Sequence, residues 1–353
     1  MKQISILYVC NEDRATTKQR LMALADLSVK VDIVYTYRLD EKINLFRKLS
    51  RSVKFRLGYF PERNKENEKI LDHLYRNNYD ILFIEKGLSI KPKTINKAKK
   101  LRPRIRIISY SLDDVMNKRN SSVYYQRSIP LYDFHFTNKK YNVPELENAG
   151  GKNVHYFING YSVQVHHPET VTPTEMEYYG SDVAFIGTYE KERADLIRWL
   201  AENGIRIKIW GWIKNAGASE MVHPGITVHE ACIYDDAYRK VISSSKINLC
   251  FLRKENRDTE TTRSVEIPAC GGFMIAERTS DHLRLFKEDE EAVYFDSKEE
   301  LLEKINYYLN HEEERKVISI NVRQRCITSK YSYTNQLKII ISIILGYEAF
   351  SDN

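Results

Sequence analysis

The run Thr261-Thr262-Arg263-Ser264-Val265-Glu266 sets an arginine and a glutamate three residues apart, and Ile267-Pro268-Ala269-Cys270-Gly271-Gly272-Phe273 follows at once. On a helix that spacing puts the two side chains one turn apart on neighbouring parts of the surface. A guanidinium can fork onto a phosphate, and a carboxylate can accept hydrogen bonds from two ribose hydroxyls. A helix N-terminus would add unpaired N–H groups and a partial positive charge. Together these meet the needs of a sugar nucleotide. The same residues also describe a helix capped by Thr262 or Ser264, with Glu266 in a capping-box-like role and Arg263 solvated. Spacing alone leaves both readings open.

The flanking sequence says what must position this group. Lys246 to Leu252 reads as a buried strand, and Phe273 to Ala276 as another. Between them there is room only for a polar loop and a short helix. That helix is predicted to start near Thr262 to Ser264 and to be stopped by Gly271-Gly272, with glycine at the C′ position.

Arg263-x-x-Glu266-Ile267-Pro268-Ala269-Cys270-Gly271-Gly272-Phe273 resembles the signature of the CgeB-like (spore maturation protein-like) glycosyltransferases. The later segments Leu285-Phe286, Glu291-Ala292-Val293-Tyr294-Phe295, Lys298-Glu299-Glu300-Leu301 and Tyr307-Tyr308-Leu309 are similar as well. The resemblance runs from about Asp182 to Tyr333 and is weaker before that. It implies a GT-B fold, with two Rossmann-like doubly wound α/β domains facing across a cleft. It also implies transfer of a sugar from a nucleoside-diphosphate donor to a glycan, lipid-linked or protein acceptor. GT-B enzymes generally stabilise the leaving group with helix dipoles and basic side chains, and no Asp-x-Asp follows a strand at the nucleotide end of the second half. Metal independence is therefore expected, with no cofactor besides the donor.

Composition agrees with an ordinary globular chain. At 353 residues, 42% hydrophobic and 29% charged, it is long enough for two domains with separate cores. The five cysteines, Cys10, Cys232, Cys250, Cys270 and Cys326, are scattered and never form C-x-x-C. They read as reduced core residues rather than a zinc site, and point to the cytoplasm. Met1 to Cys10 lacks the features of a signal peptide and reads as a first strand. The greasiest run, Ile339 to Leu345, is too short to span a membrane.

The net charge of +7 is unevenly placed: residues 42–65 hold eight Lys/Arg against one acid, and residues 91–106 hold eight and none. Within the first cluster Phe46, Leu49 and Val53 recur at helical spacing, with Arg47, Lys48, Arg51 and Lys54 spread over the other face. Such a helix can lie on an anionic membrane at the inner face, or cover a sheet as a solvated domain helix. Nucleic acid is not expected as a partner, since the clusters carry no recognisable module.

Strand-like and helix-like runs alternate throughout, which predicts parallel sheets. In the first half the strands fall near Ile4–Val9, Val31–Tyr35, Ile81–Ile84, Ile105–Ser109, Phe134–Thr137 and Val154–Phe157. We read residues 1–165 as an N-terminal acceptor-side domain, 166–181 as a linker and 182–330 as the nucleotide-sugar-binding domain. Residues 331–353, and with them the helix Glu312–Lys330, are expected to cross back to the first domain.

Further candidates follow from strand ends. Gly187 and Thr188 close the first strand of the second half, where a turn could approach a phosphate or simply be tight. Trp210-Gly211-Trp212 ends the next strand, where an indole could frame a base or lie buried under a loop. Lys191 and Arg193 open a helix from which either could reach the cleft, though as solvated helix charges they read as bystanders. For the general base we single out Asp113 and Asp114, which follow a strand of the first half; proteins similar to this family carry an aspartate pair in that region. An Asx turn is the plainer account of the same pair. Asn11, Asp13 and Arg14 form another acceptor-side group. His135 reads as a core histidine, and His166 and His167 fall in the linker, where they could lie near the cleft. Many retaining GT-B enzymes carry two glutamates separated by seven residues. Here Asp258 occupies the position eight before Glu266, with Glu260 nearby, so inversion and retention both stay open. The rival readings are a sugar-nucleotide epimerase and a non-catalytic sugar-nucleotide or glycan-binding partner in surface-polysaccharide or spore-coat assembly.

Overall fold

The computed structural model describes residues 3–12, 15–37, 58–211 and 221–346. Most of the basic run 42–65, together with Asp13, Arg14 and Trp212, lies outside the described residues. The chain forms two compact units, Met1–Ile158 with Tyr333–Asn353, and Asn159–Ser332.

The first unit alternates strand and helix: β1 (Ser5–Asn11), α1 (Ala15–Asp26), β2 (Lys30–Tyr37), α2 (Glu66–Arg76), β3 (Ile81–Glu85), α3 (Pro92–Leu101), β4 (Arg106–Ser111), α4 (Val123–Ser128), β5 (Phe134–Thr137), α5 (Asn142–Asn148) and β6 (Val154–Tyr156). Its strands form one parallel sheet in the order β2-β1-β3-β4-β5-β6. Successive residues of β1 and β3 are buried on both faces, as a parallel sheet covered by helices on each side requires. Ile6, Tyr8 and Phe83 join one core layer, and Leu7, Val9 and Leu82 the other.

The second unit repeats the plan with α6 (Pro173–Tyr179), β7 (Ser181–Ile186), α7 (Lys191–Glu202), β8 (Ile207–Trp210), β9 (Ile226–His229), α8 (Asp235–Ser244), β10 (Ser245–Cys250), α9 (Arg263–Ala269), β11 (Met274–Glu277), α10 (Ser280–Leu285), β12 (Val293–Phe295), α11 (Lys298–Asn310) and α12 (Glu312–Thr328). Its parallel sheet runs β12-β11-β10-β7-β8-β9. The two doubly wound units, six strands in each sheet, define a two-domain α/β fold.

The stretch read as a linker, 166–181, carries regular structure. Thr172 and Glu175 close a capping box on α6. The chain just before it is already tied to the second unit: the Asn159 amide donates to Glu260, and Arg239 donates to the Val165 carbonyl and to Glu169. At the other end α12 packs against α9 and stays in the second unit. The last helix, α13 (Tyr333–Leu345), joins the first unit, packing on α1 through Leu337, Ile340, Ile341 and Ile344.

A buried ion pair sits inside the first unit. Arg20 of α1, fully enclosed, donates to the Glu85 carboxylate at the end of β3. Tyr8 donates to the same carboxylate at 2.7 Å, and Thr17 at 3.2 Å. The guanidinium also lies over the rings of Tyr110 and Tyr333, 5.2 and 5.5 Å from their centroids. Burial alone would push the Arg20 cation to lose its proton, and Glu85 more than reverses that. We expect Arg20→Met to destabilise the protein by roughly 3–5 kcal/mol, because it strands Glu85 in the core. Arg20→Met combined with Glu85→Leu should recover much of the loss. Urea unfolding of the three proteins reads this, and equal stability of the single and double variants would refute it.

Candidate functional site

In the second sheet the chain runs β7, β8, β9 to one side and then β10, β11, β12 to the other. Strand order therefore reverses between β7 and β10, and the crevice outside their carboxyl ends is where open α/β sheets take ligands. Gly187 and Thr188 leave β7 there, Phe251 to Arg253 leave β10, and the loop 259–262 leads into α9.

Arg263 is the first residue of α9 and is partly buried, and its Nε finds no hydrogen-bond partner among the described residues. Arg193, on the first turn of α7, is buried and donates to the Thr188 carbonyl at 3.4 Å and the Phe251 carbonyl at 3.1 Å. Burial pushes the Arg193 guanidinium down to about 10, and the neighbouring charge of Arg263 pushes the same way. Two guanidiniums thus converge at the switch point, one of them held by backbone carbonyls. An anion placed there would relieve their mutual repulsion. The sequence reading treated Arg193 as a bystander. Helical spacing alone could not reveal that its side chain turns inward to cap β7 and β10. Arg193 also lines a cavity of about 310 Å³ with Leu252, Glu277, Arg278 and Phe295.

Glu266 is 6% exposed. One carboxylate oxygen accepts the Tyr238 hydroxyl at 2.9 Å, and the other lies 3.9 Å from His166 Nε2. His166 Nδ1 accepts the Ser162 amide, so the neutral ring carries its proton on Nε2, facing Glu266. Burial holds the ring's proton affinity below the usual histidine range, against the opposing pull of Glu266. A carboxylate has lone pairs beyond those two partners. His166 is thus a site neighbour contributed by the segment read as a linker.

The loop before α9 is fixed by a second histidine, which nothing in its sequence neighbourhood singles out. His282 Nδ1 donates to the Glu277 carbonyl at 2.7 Å, which leaves Nε2 to accept the Ser264 hydroxyl at 2.8 Å. Ser264 Oγ in turn accepts the Thr261 amide. The amides of Ser264, Val265 and Glu266 bond to the Thr261 and Thr262 carbonyls. Four of the amides expected to meet a phosphate at this helix start are therefore engaged internally, and α9 is only seven residues long. Thr262 provides no side-chain cap, and Thr261 Oγ1 accepts from Arg263 instead.

Gly271 closes α9 at φ +74, a conformation that suits glycine. At Gly272 a Cβ would come within 2.4 Å of Ile242, so the helix can lie against α8 only without one. Asp258 accepts from Asn256 and from the Arg253 amide, while Glu260 is enclosed and accepts the Asn159 amide. Both acids of the compared carboxylate spacing thus hold loop backbone.

Trp210 does not frame an open site. It is 2% exposed, stacks on His229 at 3.9 Å and 6°, and is flanked by Tyr178 and Tyr179. Its ring is enclosed because Ala184 and Val241 pack beside it in a small satellite core. Gly211 takes φ +86 beside Gly187, whose amide bonds to the Trp210 carbonyl.

In the first unit the strand order reverses between β1 and β3. A cavity of about 430 Å³ opens at their carboxyl ends, lined by Asn11, Arg63, Glu85, Lys86, Ser89 and Arg119 among others. Lys86, on the cavity wall, ion-pairs through Nζ with Asp113. Asp114 points elsewhere: it is 1% exposed, accepts from Asn142 at 2.9 Å and closes an Asx turn on the Met116 amide.

The two units, each with its own switch point, place the chain in the GT-B fold class. HepE from Anabaena, solved with UDP and glucose, superposes with a TM-score of 0.63 at 11% identity over 97% of this chain and 99% of that one. Sucrose-phosphate synthase from Thermosynechococcus elongatus gives 0.68 at 10% identity over 98% and 100%. A protein from Listeria monocytogenes described as a UDP-N-acetylglucosamine 2-epimerase gives 0.60 at 12% over 99% and 98%. At these identities the likeness establishes the fold. A family model described as glycosyl transferase-like matches residues 191–342, which include both arginines and Glu266. Among curated proteins no sequence matches this chain.

His135 has a structural place. It is 1% exposed in β5 and bonds the Ile129 carbonyl at 3.0 Å. Burial lowers it to about 4. A histidine held neutral in the fold stabilises above its unfolded value and loses that contribution as pH falls. Between pH 6.5 and 4 we therefore expect stability to drop by up to roughly 3 kcal/mol from this group. Urea unfolding against pH should show a shallower slope over that window in His135→Gln. An unchanged slope would count against the assignment.

Proposed function

We propose that the protein is a glycosyltransferase that moves a sugar from a nucleoside diphosphate onto a glycan, lipid-linked or protein acceptor. The observation that carries this reading is the placement of two arginines at the switch point of the second sheet, Arg193 bound to the Thr188 and Phe251 carbonyls and Arg263 opening α9, with Glu266 one helical turn beyond. The glycosyl transferase-like match over the same residues supports it. So do the UDP and glucose held by the similarly folded HepE.

In this reading Arg193 and Arg263 hold the diphosphate, assisted by the side chains of Thr261, Thr262 and Thr188. Glu266 accepts ribose hydroxyls through the lone pairs that Tyr238 and His166 leave. The acceptor oxygen attacks the anomeric carbon, the bond from that carbon to the β-phosphate oxygen breaks, and the charge developing on the diphosphate falls on the two guanidiniums. Asp113 takes the acceptor's proton. Lys86 pairs with that carboxylate. Asp114, turned to Asn142 and to backbone, positions the loop that carries Asp113. Gly187 and Gly211 allow the strand-end turns to lie close together. No metal is required for a leaving group met by two fixed cations, and reduced cysteines favour the cytoplasm.

Thermal shift with UDP-, GDP- and dTDP-sugars, with and without EDTA, tests the donor half. One nucleotide family should raise the melting temperature by a few degrees at 100 times its dissociation constant. Glu266→Ala, Arg263→Gln and Arg193→Gln should each abolish that shift, and EDTA should leave it unchanged. If no nucleotide stabilises the wild-type protein, the reading fails. Asp113→Asn should keep donor binding and lose turnover by roughly 10²-fold or more. Conversion of the sugar nucleotide without any acceptor would instead identify an epimerase.

A further inference from the structure

We infer that Tyr238 and His166 make the Glu266 subsite select a ribonucleoside over a 2′-deoxyribonucleoside, by holding the Glu266 carboxylate in one orientation. The inference rests on the transferase reading and narrows the chemical class of its donor.

A glutamate side chain needs an outside reason to point one way, because its last torsion joins sp³ to sp² carbon and ranges broadly. Glu266 has such a reason at each oxygen. Tyr238, from α8, donates to Oε2 at 2.9 Å, and His166, from the stretch before α6, sets its Nε2 3.9 Å from Oε1. Both partners are buried. His166 Nδ1 is occupied in accepting the Ser162 amide at 3.0 Å, which directs the ring's N–H toward Glu266. The rings of His166 and Tyr238 brace each other in a T-shaped contact, 5.6 Å between centroids. Arg239, next to Tyr238, bonds the Val165 carbonyl and Glu169, and so ties α8 to the segment that carries the histidine. All of these residues belong to the second unit.

What this leaves for a ligand is specific. A carboxylate offers about four lone-pair sites, two on each oxygen. Tyr238 uses one on Oε2 and His166 faces one on Oε1, so an acceptor remains on each oxygen. Two neighbouring acceptors in fixed positions match the vicinal 2′- and 3′-hydroxyls of ribose. A 2′-deoxyribose supplies one of those two donors and leaves the other oxygen unmet. Glu266 is only 6% exposed, so water does not freely replace the missing hydroxyl. A site built to bond a hydroxyl rejects the analogue lacking it far more strongly than an apolar pocket rejects a missing methylene. A carboxylate free to rotate would turn onto the single hydroxyl that remains, and much of that selectivity would go. The donor is therefore assigned to the ribonucleoside diphosphates, which sets the thymidine diphosphate sugars outside.

Calorimetric titration of the whole protein with UDP, GDP, ADP and CDP, each beside its 2′-deoxy counterpart, and with dTDP, tests this. Whichever base binds, wild type should hold the ribonucleotide at least about tenfold more tightly than its deoxy partner. Tyr238→Phe removes one hydroxyl and keeps the ring against His166. His166→Phe keeps a ring against Tyr238 and removes the N–H. In each variant the ribonucleotide should weaken while the deoxynucleotide stays within about twofold of wild type, so that the ratio falls to about threefold or less. Retained deoxynucleotide affinity shows in the same experiment that the variant is folded. A ratio near one in wild type, tighter binding of dTDP than of any ribonucleotide, a ratio unchanged in either variant, or equal loss of both nucleotides would overturn the inference. If wild type binds none of these nucleotides, the donor reading itself falls, a result distinct from the others.

Discussion

The first unit is organised around one carboxylate that cannot be left alone. Glu85 ends β3 at the switch point, and burying its charge would cost several kcal/mol without a partner. Arg20 meets it from α1, Tyr8 from β1 and Thr17 from one turn before Arg20. Tyr333, the first residue of α13, covers the guanidinium from the far end of the sequence. Three elements, α1, β1 and α13, are thereby fixed relative to the strand end from which Lys86 and the cavity begin.

In the second unit the corresponding constraint is the repulsion between Arg193 and Arg263. Two cations are held together by structure that neither supplies: Arg193 is tethered to carbonyls at the ends of β7 and β10, and Arg263 is set by a loop clamped through Ser264 and His282. Glu190, 3.7 Å from Arg193 Nε, offsets part of this charge, and the guanidiniums stay fixed as donors. That is the preorganisation a leaving diphosphate needs, since the donors are fixed before charge develops. Glu266, shared among Tyr238, His166 and solvent, is the polar counterpart on the next turn.

Much of this was legible in the sequence. Alternating apolar runs and their turn residues gave the strands, because burial on both faces of a parallel sheet leaves a continuous apolar mark. The short helix stopped by Gly271-Gly272 was readable from local chemistry alone, since a positive φ and a close approach both demand glycine. Arg263 and Glu266 stood out because their spacing on one helix is itself local. Arg193 did not, because an arginine on a first helical turn looks the same whether it is solvated or turned under a strand end. His282 left no sequence signal either, lying in an ordinary helix, whereas His166 was legible only as a linker histidine that could lie near the cleft. For Trp210 the sequence left framing a base and burial under a loop both open, and it is enclosed because Tyr178, Tyr179 and His229 arrive from elsewhere.

What the sequence determined by itself was therefore the set of elements and the residues whose role follows from their immediate neighbours, because hydrophobic period, capping and glycine conformation act over a few residues. What only the tertiary structure decided was which side chains from distant elements share one place: Arg193 with Arg263, His166 with Glu266, Asp113 with Lys86. It also separated Asp113 from Asp114, adjacent in the chain and opposite in use, since one meets a lysine at a cavity wall and the other a buried asparagine. Charge and burial at a point in space depend on everything packed around it, and no local pattern encodes that sum.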